Sequence, residues 1–248
     1  PALPAVVPSE KDKLIGQYIA ELVEDGSTIQ LGIGGIPNAA ALFLADKKDL
    51  GVHTEMLSDA IVDLVEAGAI TGREKTIWKD KIVATFAFGS KKLYDFINEN
   101  PMIEMQRGSV VNDPYVVGRN HKMVSINTTL QVDLFGQCCS EAIGFRQYSG
   151  SGGAADTAAG AQKSKGGKSI MALYSTVKED TLSSIVPVLS PGAPVTLSRN
   201  DVDYVVTEYG IASLRGTNLG ERVERLSAIA HPKFRDMLRE EAKKMQLW

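Results

Sequence analysis

Apolar positions along this chain alternate between a helical and an extended rhythm. Over residues 9–25, Leu14, Ile15, Tyr18, Ile19, Leu22 and Val23 fall on one stripe of a helix. Ser9, with Asp12 three residues on, reads as its capping box, and Gly26 as its stop. Thr28–Leu31 reads as a short strand that runs straight into Gly32-Ile33-Gly34-Gly35-Ile36-Pro37. Pro37 suits the first turn of the helix that follows through Ala45. The alternation continues with strand 52–56, helix 59–67, strand 81–88, helix 90–98 and extended segments over 103–111. Strands are predicted at 124–127, 130–134, 169–174, 185–189, 195–198 and 204–207. A small-residue helix reaches Ala161, and helices 218–229 and 232–245 close the chain.

Strands alternating with helices of this length predict an α/β fold, a mostly parallel sheet with helices on both faces. The strand-rich stretch 103–135 is where an antiparallel portion is expected. No linker-like shift in composition interrupts residues 1–248, so a single domain is expected. In open parallel sheets ligands bind at the carboxyl ends of the strands. Gly32–Gly35 and the second glycine loop, Gly150-Ser151-Gly152-Gly153, both lie at such ends on this reading.

Composition narrows the function. A chain of 248 residues, 44% hydrophobic, can bury a sizeable core. A formal net charge of −3 argues against a general nucleic-acid binder. No apolar run approaches a membrane span, and residues 1–9 lack the basic start and apolar core of a signal peptide. Cys138 and Cys139 are adjacent and badly placed for a disulfide framework, so a reducing, cytoplasmic setting is expected. His53, His121 and His231 show no metal-ligand spacing, and no metal is expected.

The first glycine turn admits three readings. As a dinucleotide fingerprint it has Gly32 and Gly34, with Glu55 at the distance of the ribose-binding acid, but Pro37 stands where the third glycine belongs. As a simple tight turn it needs no ligand. As an oxyanion site, its glycines let the main chain approach a reacting carbonyl, and the helix start favours developing negative charge. The last reading requires a nucleophile, and Glu55 stands at the end of the next strand.

Several strings together resemble the acetyl-CoA hydrolase/transferase family, whose members include CoA-transferases acting on 4-hydroxybutyrate and butyrate. They are Leu31-Gly-Ile-Gly-Gly-Ile-Pro37, His53-Thr-Glu-Met56, Asn112-Asp-Pro-Tyr115, Val132-Asp-Leu-Phe-Gly-Gln137, Gly150-Ser-Gly-Gly153, Ser164-Lys-Gly-Gly-Lys168 and Asp203-Tyr-Val-Val-Thr-Glu-Tyr-Gly210. The resemblance is to the carboxy-terminal half of such enzymes. It implies a missing amino-terminal half, a CoA-transferase-like fold and a homo-oligomer. It implies Glu55 as the catalytic carboxylate and backbone groups of Ile33, Gly34 and Gly152 or Gly153 as the oxyanion site. Gly32, Gly35, Lys165 and Lys168 are candidate contacts to coenzyme A. Where relatives tend to carry Asp-Phe and a basic residue, this chain reads Asp156-Thr157-Ala158-Ala159.

The implied reaction is acyl-CoA:carboxylate CoA transfer through a glutamyl anhydride and a glutamyl-CoA thioester on Glu55. The partners are acyl-CoA and a short-chain carboxylate such as 4-hydroxybutyrate, butyrate or acetate, and no permanently bound cofactor is needed. The alternatives are acyl-CoA hydrolysis and a non-catalytic half that binds CoA or a partner chain. Lys163, Lys165 and Lys168 also read as a solvated basic loop, since the Walker A glycine is replaced by Gln162. Glu208 reads as a hydrogen-bonded turn residue and the cysteines as small buried hydrophobes. Asp133 and Gln137 are expected to support the second loop.

Overall fold

The computed structural model describes residues 7–247. In chain order its elements begin with α1 (Glu10–Leu22), β1 (Thr28–Leu31), α2 (Gly35–Leu44), β2 (Gly51–His53), β3 (Met56–Leu57) and α3 (Asp59–Glu66). Next come β4 (Ile82–Ala84), β5 (Phe86–Ala87), α4 (Lys91–Ile97), β6 (Ile103–Met105), α5 (Gly108–Val111), α6 (Pro114–Val117) and β7 (Met123–Thr128). After them come β8 (Gln131–Asp133), β9 (Cys138–Cys139), β10 (Ala142–Ile143), β11 (Arg146–Gln147), α7 (Ala154–Lys163) and β12 (Lys168–Ala172). The chain ends with β13 (Thr176–Val177), β14 (Leu182–Ser183), β15 (Ile185–Val186), β16 (Tyr204–Thr207), β17 (Gly210–Ser213), α8 (Leu219–Ile229) and α9 (Pro232–Lys244).

Two compact units divide the chain. The first holds the residues up to Asn127 together with Asp156–Ser169. Its sheet is wholly parallel: β1 pairs with β2 on one side and β7 on the other, β2 pairs with β4, and β4 with β6. The strands β1, β2 and β4 are buried at every position, the pattern of a parallel sheet covered on both faces. From β1 the chain steps outward through β2 and β4 to β6, then returns to the far side of β1 as β7. The crevice beyond the carboxyl ends at such a reversal is where α/β sheets bind ligands, and the first glycine turn leaves β1 there.

Helix α1 forms as its pattern predicts, with both halves of the Ser9–Asp12 capping box in place. It ends at Leu22 rather than at Gly26, which instead takes a positive φ of 72° in the turn into β1. Gly16 sets the approach of α1 to α2: a Cβ there would lie 2.7 Å from the backbone of Ala39 and Ala40. Thr157, on α7, joins a buried polar network with β1 and β7. Ser125 Oγ donates to Gln30 Oε1 at 2.9 Å and pairs with Thr157 Oγ1 at 3.0 Å, while Asn127 Nδ2 donates to Ser125 Oγ at 2.9 Å.

The second unit holds Thr128–Ala155 and the chain from Ile170 onward. There β12 pairs in parallel with β16, and β16 antiparallel with β17. A separate three-stranded sheet sets β8 parallel to β15 and antiparallel to β9, and β10–β11 and β13–β14 are antiparallel pairs. Helix α8 starts on an Asn218–Glu221 capping box.

Several expectations change on contact with the structure. The antiparallel pairing begins at β8, and within 103–127 the strands β6 and β7 are parallel. The extended stretch 103–111 is a strand only to Met105, then the one-turn helix α5. Strand 185–189 stops before Pro187, which has no N–H for a ladder. Residues 195–198 form only a bridge between Leu197 and Cys138. The pairing of β17 with β16 follows directly on the turn at Gly210, whose φ is 135°. Strands 52–56 and 81–88 each break in two, at residues 54–55 and at Thr85.

Candidate active site

The first glycine turn is built by conformational need. Gly34 has a φ of 116°, in the region that favours glycine, and it caps α2 without a side-chain hydrogen bond. The cap residue therefore offers no side-chain acceptor to the first amides of α2. Gly35 is held small for a different reason, since a Cβ there would lie 2.7 Å from both carboxylate oxygens of Asp12. Ile33, between the glycines, leaves 44% of its surface exposed.

Glu55 occupies the break between β2 and β3. The register of β1 on β2 pairs Thr28 with Gly51 and Ile29 with Val52, so Gly32 and Glu55 leave neighbouring strands at the same level. Backbone bonds fix the break. The Glu55 carbonyl accepts N–H groups from both Thr85 at 2.9 Å and Phe86 at 3.2 Å, where β4 gives way to β5. Thr54 N–H donates to the Val83 carbonyl at 3.0 Å, and Thr54 Oγ1 to the Met56 carbonyl at 3.1 Å. The Glu55 side chain is half-buried.

Beneath Glu55, His53 is fully buried, with Nε2 2.8 Å from the Val111 carbonyl. A carbonyl only accepts, so Nε2 carries the proton, and Nδ1 has no partner. Burial pushes the imidazole down to about 4, against the pull of the Val111 carbonyl and with help from Lys75. His53 is thus a neutral supporting residue.

Two further carboxylates belong to this neighbourhood: Asp156 feels the charge of Glu55, and Asp113 in turn lies near Asp156. Asp113 caps α6 by accepting Tyr115 N–H at 2.8 Å, and Asp156 lies in the first turn of α7. Burial, then the charge of Glu55, then that of Asp113, holds the Asp156 carboxyl above the usual range. Sequence reasoning assigns neither residue a role; the available signal is that Asp113 lies within the Asn112–Tyr115 string and Asp156 opens the segment 156–159 that is compared with relatives. Beside the glycine turn lies an apolar cleft of about 510 Å³, lined by Ile33, Gly34, Asn38, Leu42, Ala60 and Phe88 among others. Glu55 does not line it.

The remaining candidates fall elsewhere. Lys165 and Lys168 sit at the amino edge of the sheet, the edge opposite Glu55. The Lys165 carbonyl accepts Lys122 N–H at 2.8 Å, just before β7. Lys168 Nζ donates to the Leu22 carbonyl at 2.8 Å and to Glu24 at 2.9 Å, just before β1. The structure therefore brings neither lysine to Glu55. In the second unit, Gly152 has a φ of 57° and is exposed, while Gly153 is buried. Asp133 closes its own turn, accepting from Phe135 N–H at 3.0 Å and from the backbone and side-chain amides of Gln137 at 2.9 and 2.8 Å, rather than bracing the glycine loop. Glu208 accepts Ser175 N–H at 2.9 Å and Ser175 Oγ–H at 2.8 Å, the hydrogen-bonded turn role expected of it. Cys138 and Cys139 are buried free thiols. Among the described residues no group of three or more His, Cys, Asp or Glu is placed to hold a metal, and no helix is long and apolar enough to cross a membrane.

The fold is shared with the solved 4-hydroxybutyrate CoA-transferase of Porphyromonas gingivalis, with a TM-score of 0.86 and 46% identity over 98% of this chain and 58% of that one. Residues 89–242 match the acetyl-CoA hydrolase/transferase C-terminal domain, and the chain belongs to that family. It is 55% identical over 233 residues to the 4-hydroxybutyrate coenzyme A transferase of Clostridium kluyveri, covering 94% of this chain and 54% of that protein. It is 54% identical over 243 residues to the succinyl-CoA:cyclohexane-1-carboxylate CoA transferase of Geobacter metallireducens, covering 98% and 55%. Among solved structures, RipA from Yersinia pestis matches with a TM-score of 0.95 and 42% identity, over 100% of this chain and 56% of that one. The chain spans about half the length of the curated relatives it matches.

Proposed function

We propose that this chain carries the nucleophile of an acyl-CoA:carboxylate CoA-transferase, with Glu55 as that nucleophile. The observation that carries the reading is the position of Glu55 at the carboxyl end of β2, level with the Gly32 turn and beside the strand-order reversal. A carboxylate is a weak nucleophile toward a thioester, so the site must hold the reactants together and stabilise the tetrahedral oxyanion. Ile33 and Gly34 at the start of α2 supply main-chain N–H groups for that charge.

In the first half-reaction a Glu55 oxygen attacks the acyl-CoA carbonyl, the C–S bond breaks, and CoA thiolate leaves a mixed anhydride. The thiolate then attacks the Glu55 carbonyl carbon and expels the acyl group as its carboxylate, leaving a glutamyl-CoA thioester. The incoming carboxylate repeats both steps in reverse. The acids are short-chain carboxylates such as 4-hydroxybutyrate, butyrate or acetate. In a protein of the relatives' length, the other half completes the acyl pocket, and such protomers assemble into a homo-oligomer.

Mass mapping after incubation with butyryl-CoA should find CoA joined through Glu55, and Glu55→Ala should abolish the adduct. An adduct of equal yield in Glu55→Ala would overturn the assignment.

A further inference from the structure

Lys75 is a lysine in a place where lysines are rarely found. It is 4% exposed. Its Nζ donates to two backbone carbonyls, Val52 on β2 and Lys81 at the start of β4, each at 2.8 Å. The fold makes room for its stem: a Cβ on Gly51 would fall 2.3 Å from Lys75 Cγ. The loop it belongs to, residues 71–81, holds Trp78 and Asp80 in left-handed conformations, with φ of 46° and 63°. The Trp78 ring packs on His53, centroids 5.9 Å apart.

We propose that the Lys75 amine is a proton-sensitive latch that ties loop 71–81 to the strand leading to Glu55. As a neutral amine, Lys75 has two N–H donors, and the two carbonyls take both. As an ammonium it has a third donor and a full charge in a buried site. The titratable groups around it offer no compensation. On β2 the neighbour is His53, itself a base. At β4 it is Lys81, whose own ammonium turns away to the Pro101 carbonyl at 2.5 Å. On β1, beside Gly51, the nearest side chain is Thr28, which is not titratable. Among the described residues no carboxylate contributes to its titration: burial moves the Lys75 amine down, to about 7. Protonation therefore favours release of the loop, which carries the ammonium to water and lifts Trp78 off His53. The latch is independent of the reaction assigned to Glu55.

The sign follows from linkage. The open loop binds a proton with the ordinary lysine value of 10.5, the closed loop with a value of about 7. Between those values opening takes up a proton, so the closed state gains as pH rises and the bias is constant below about pH 6. Across pH 9 to 7 the opening equilibrium should rise roughly 50-fold. Hydrogen exchange followed by mass spectrometry, corrected for intrinsic chemical rates, reads this directly on peptides covering 71–81 of the wild-type chain. Lys75→Met should remove the dependence. In protein labelled at lysine 13Cε, one resonance should titrate near neutrality and be absent from that variant. Opening that does not change between pH 9 and 7, or lysine resonances that all titrate above pH 9, would overturn the proposal. Both readouts are made on the wild-type chain and stand even if the variant fails to fold.

Discussion

Replacing Gly16 with alanine sets two effects of opposite sign against each other. In a helix interior alanine is favoured over glycine by about 1 kcal/mol, so on propensity alone Gly16→Ala would stabilise α1. The new Cβ, however, would lie 2.7 Å from Ala39 C and Ala40 N and 2.9 Å from the Ala39 carbonyl oxygen. Comfortable carbon contacts begin near ~3.5 Å, so the helices must separate by about 0.8 Å. The opposing atoms are backbone and cannot rotate aside. Forced insertions typically cost ~1–3 kcal/mol, and contact with unyielding backbone puts this one at about 2–3 kcal/mol, leaving a net loss of about 1–2 kcal/mol. Urea unfolding should show a lower midpoint at an unchanged slope, and thermal unfolding a fall of roughly 2–8 °C. Gln17→Ala, on the exposed side of the same helix, should change neither by much. Because α2 begins at the glycine turn, Gly16→Ala should also lower the yield of CoA adduct at Glu55. A variant as stable as the wild type or more so would refute the close-packing reasoning.

Three other outcomes follow from the site. Asp156 has a raised carboxyl value, so it costs stability once pH exceeds its ordinary value of 3.8. Asp156→Asn should raise stability at pH 7 by less than ~1 kcal/mol, because the group is largely exposed and screened, and urea titration at pH 3 and pH 7 would show the gain only at the higher pH. His53, held down to about 4 from 6.5, should make the wild type lose stability as pH falls through that window, by up to ~3 kcal/mol. His53→Leu should flatten that limb of a pH series of urea melts. Lys168→Met breaks contacts to Leu22 and Glu24 at the amino edge of the sheet. It should cost ~1 kcal/mol or less and leave the CoA adduct at Glu55 unchanged; a large loss of adduct would restore Lys168 as a CoA contact.

The strands and helices of the first unit were legible because their burial follows the pattern that sequence displays: Thr28–Leu31 is buried throughout and ends on glycine, and Ser9 and Asp12 cap α1 as spaced. The family resemblance carried Glu55, which its own surroundings in sequence do not distinguish from a solvated acid. What sequence could not display depends on partners far along the chain. The break at Glu55 exists because amides of Thr85 and Phe86 meet its carbonyl, thirty residues away. Asp156 meets Glu55 and Asp113 only through space. Lys75 looks like any lysine in a polar loop until Gly51 and two carbonyls are placed around it. The lysines of the 163–168 loop follow a family string, yet strand direction sends Lys165 and Lys168 to the edge opposite Glu55.

The paired breaks in β2–β3 and β4–β5 have an evolutionary meaning. Past the break, β3 and β5 pair with each other, Met56 with Phe86 and Leu57 with Ala87, as a small ribbon distinct from the main sheet. The main chain at Glu55 is thus held at the fold line by hydrogen bonds between backbone groups, which every residue type except proline can make. Side chains around the line are free to drift without moving the Cα of Glu55. A lineage built on this fold line can alter the walls around it while the carboxylate of Glu55 stays where the backbone puts it.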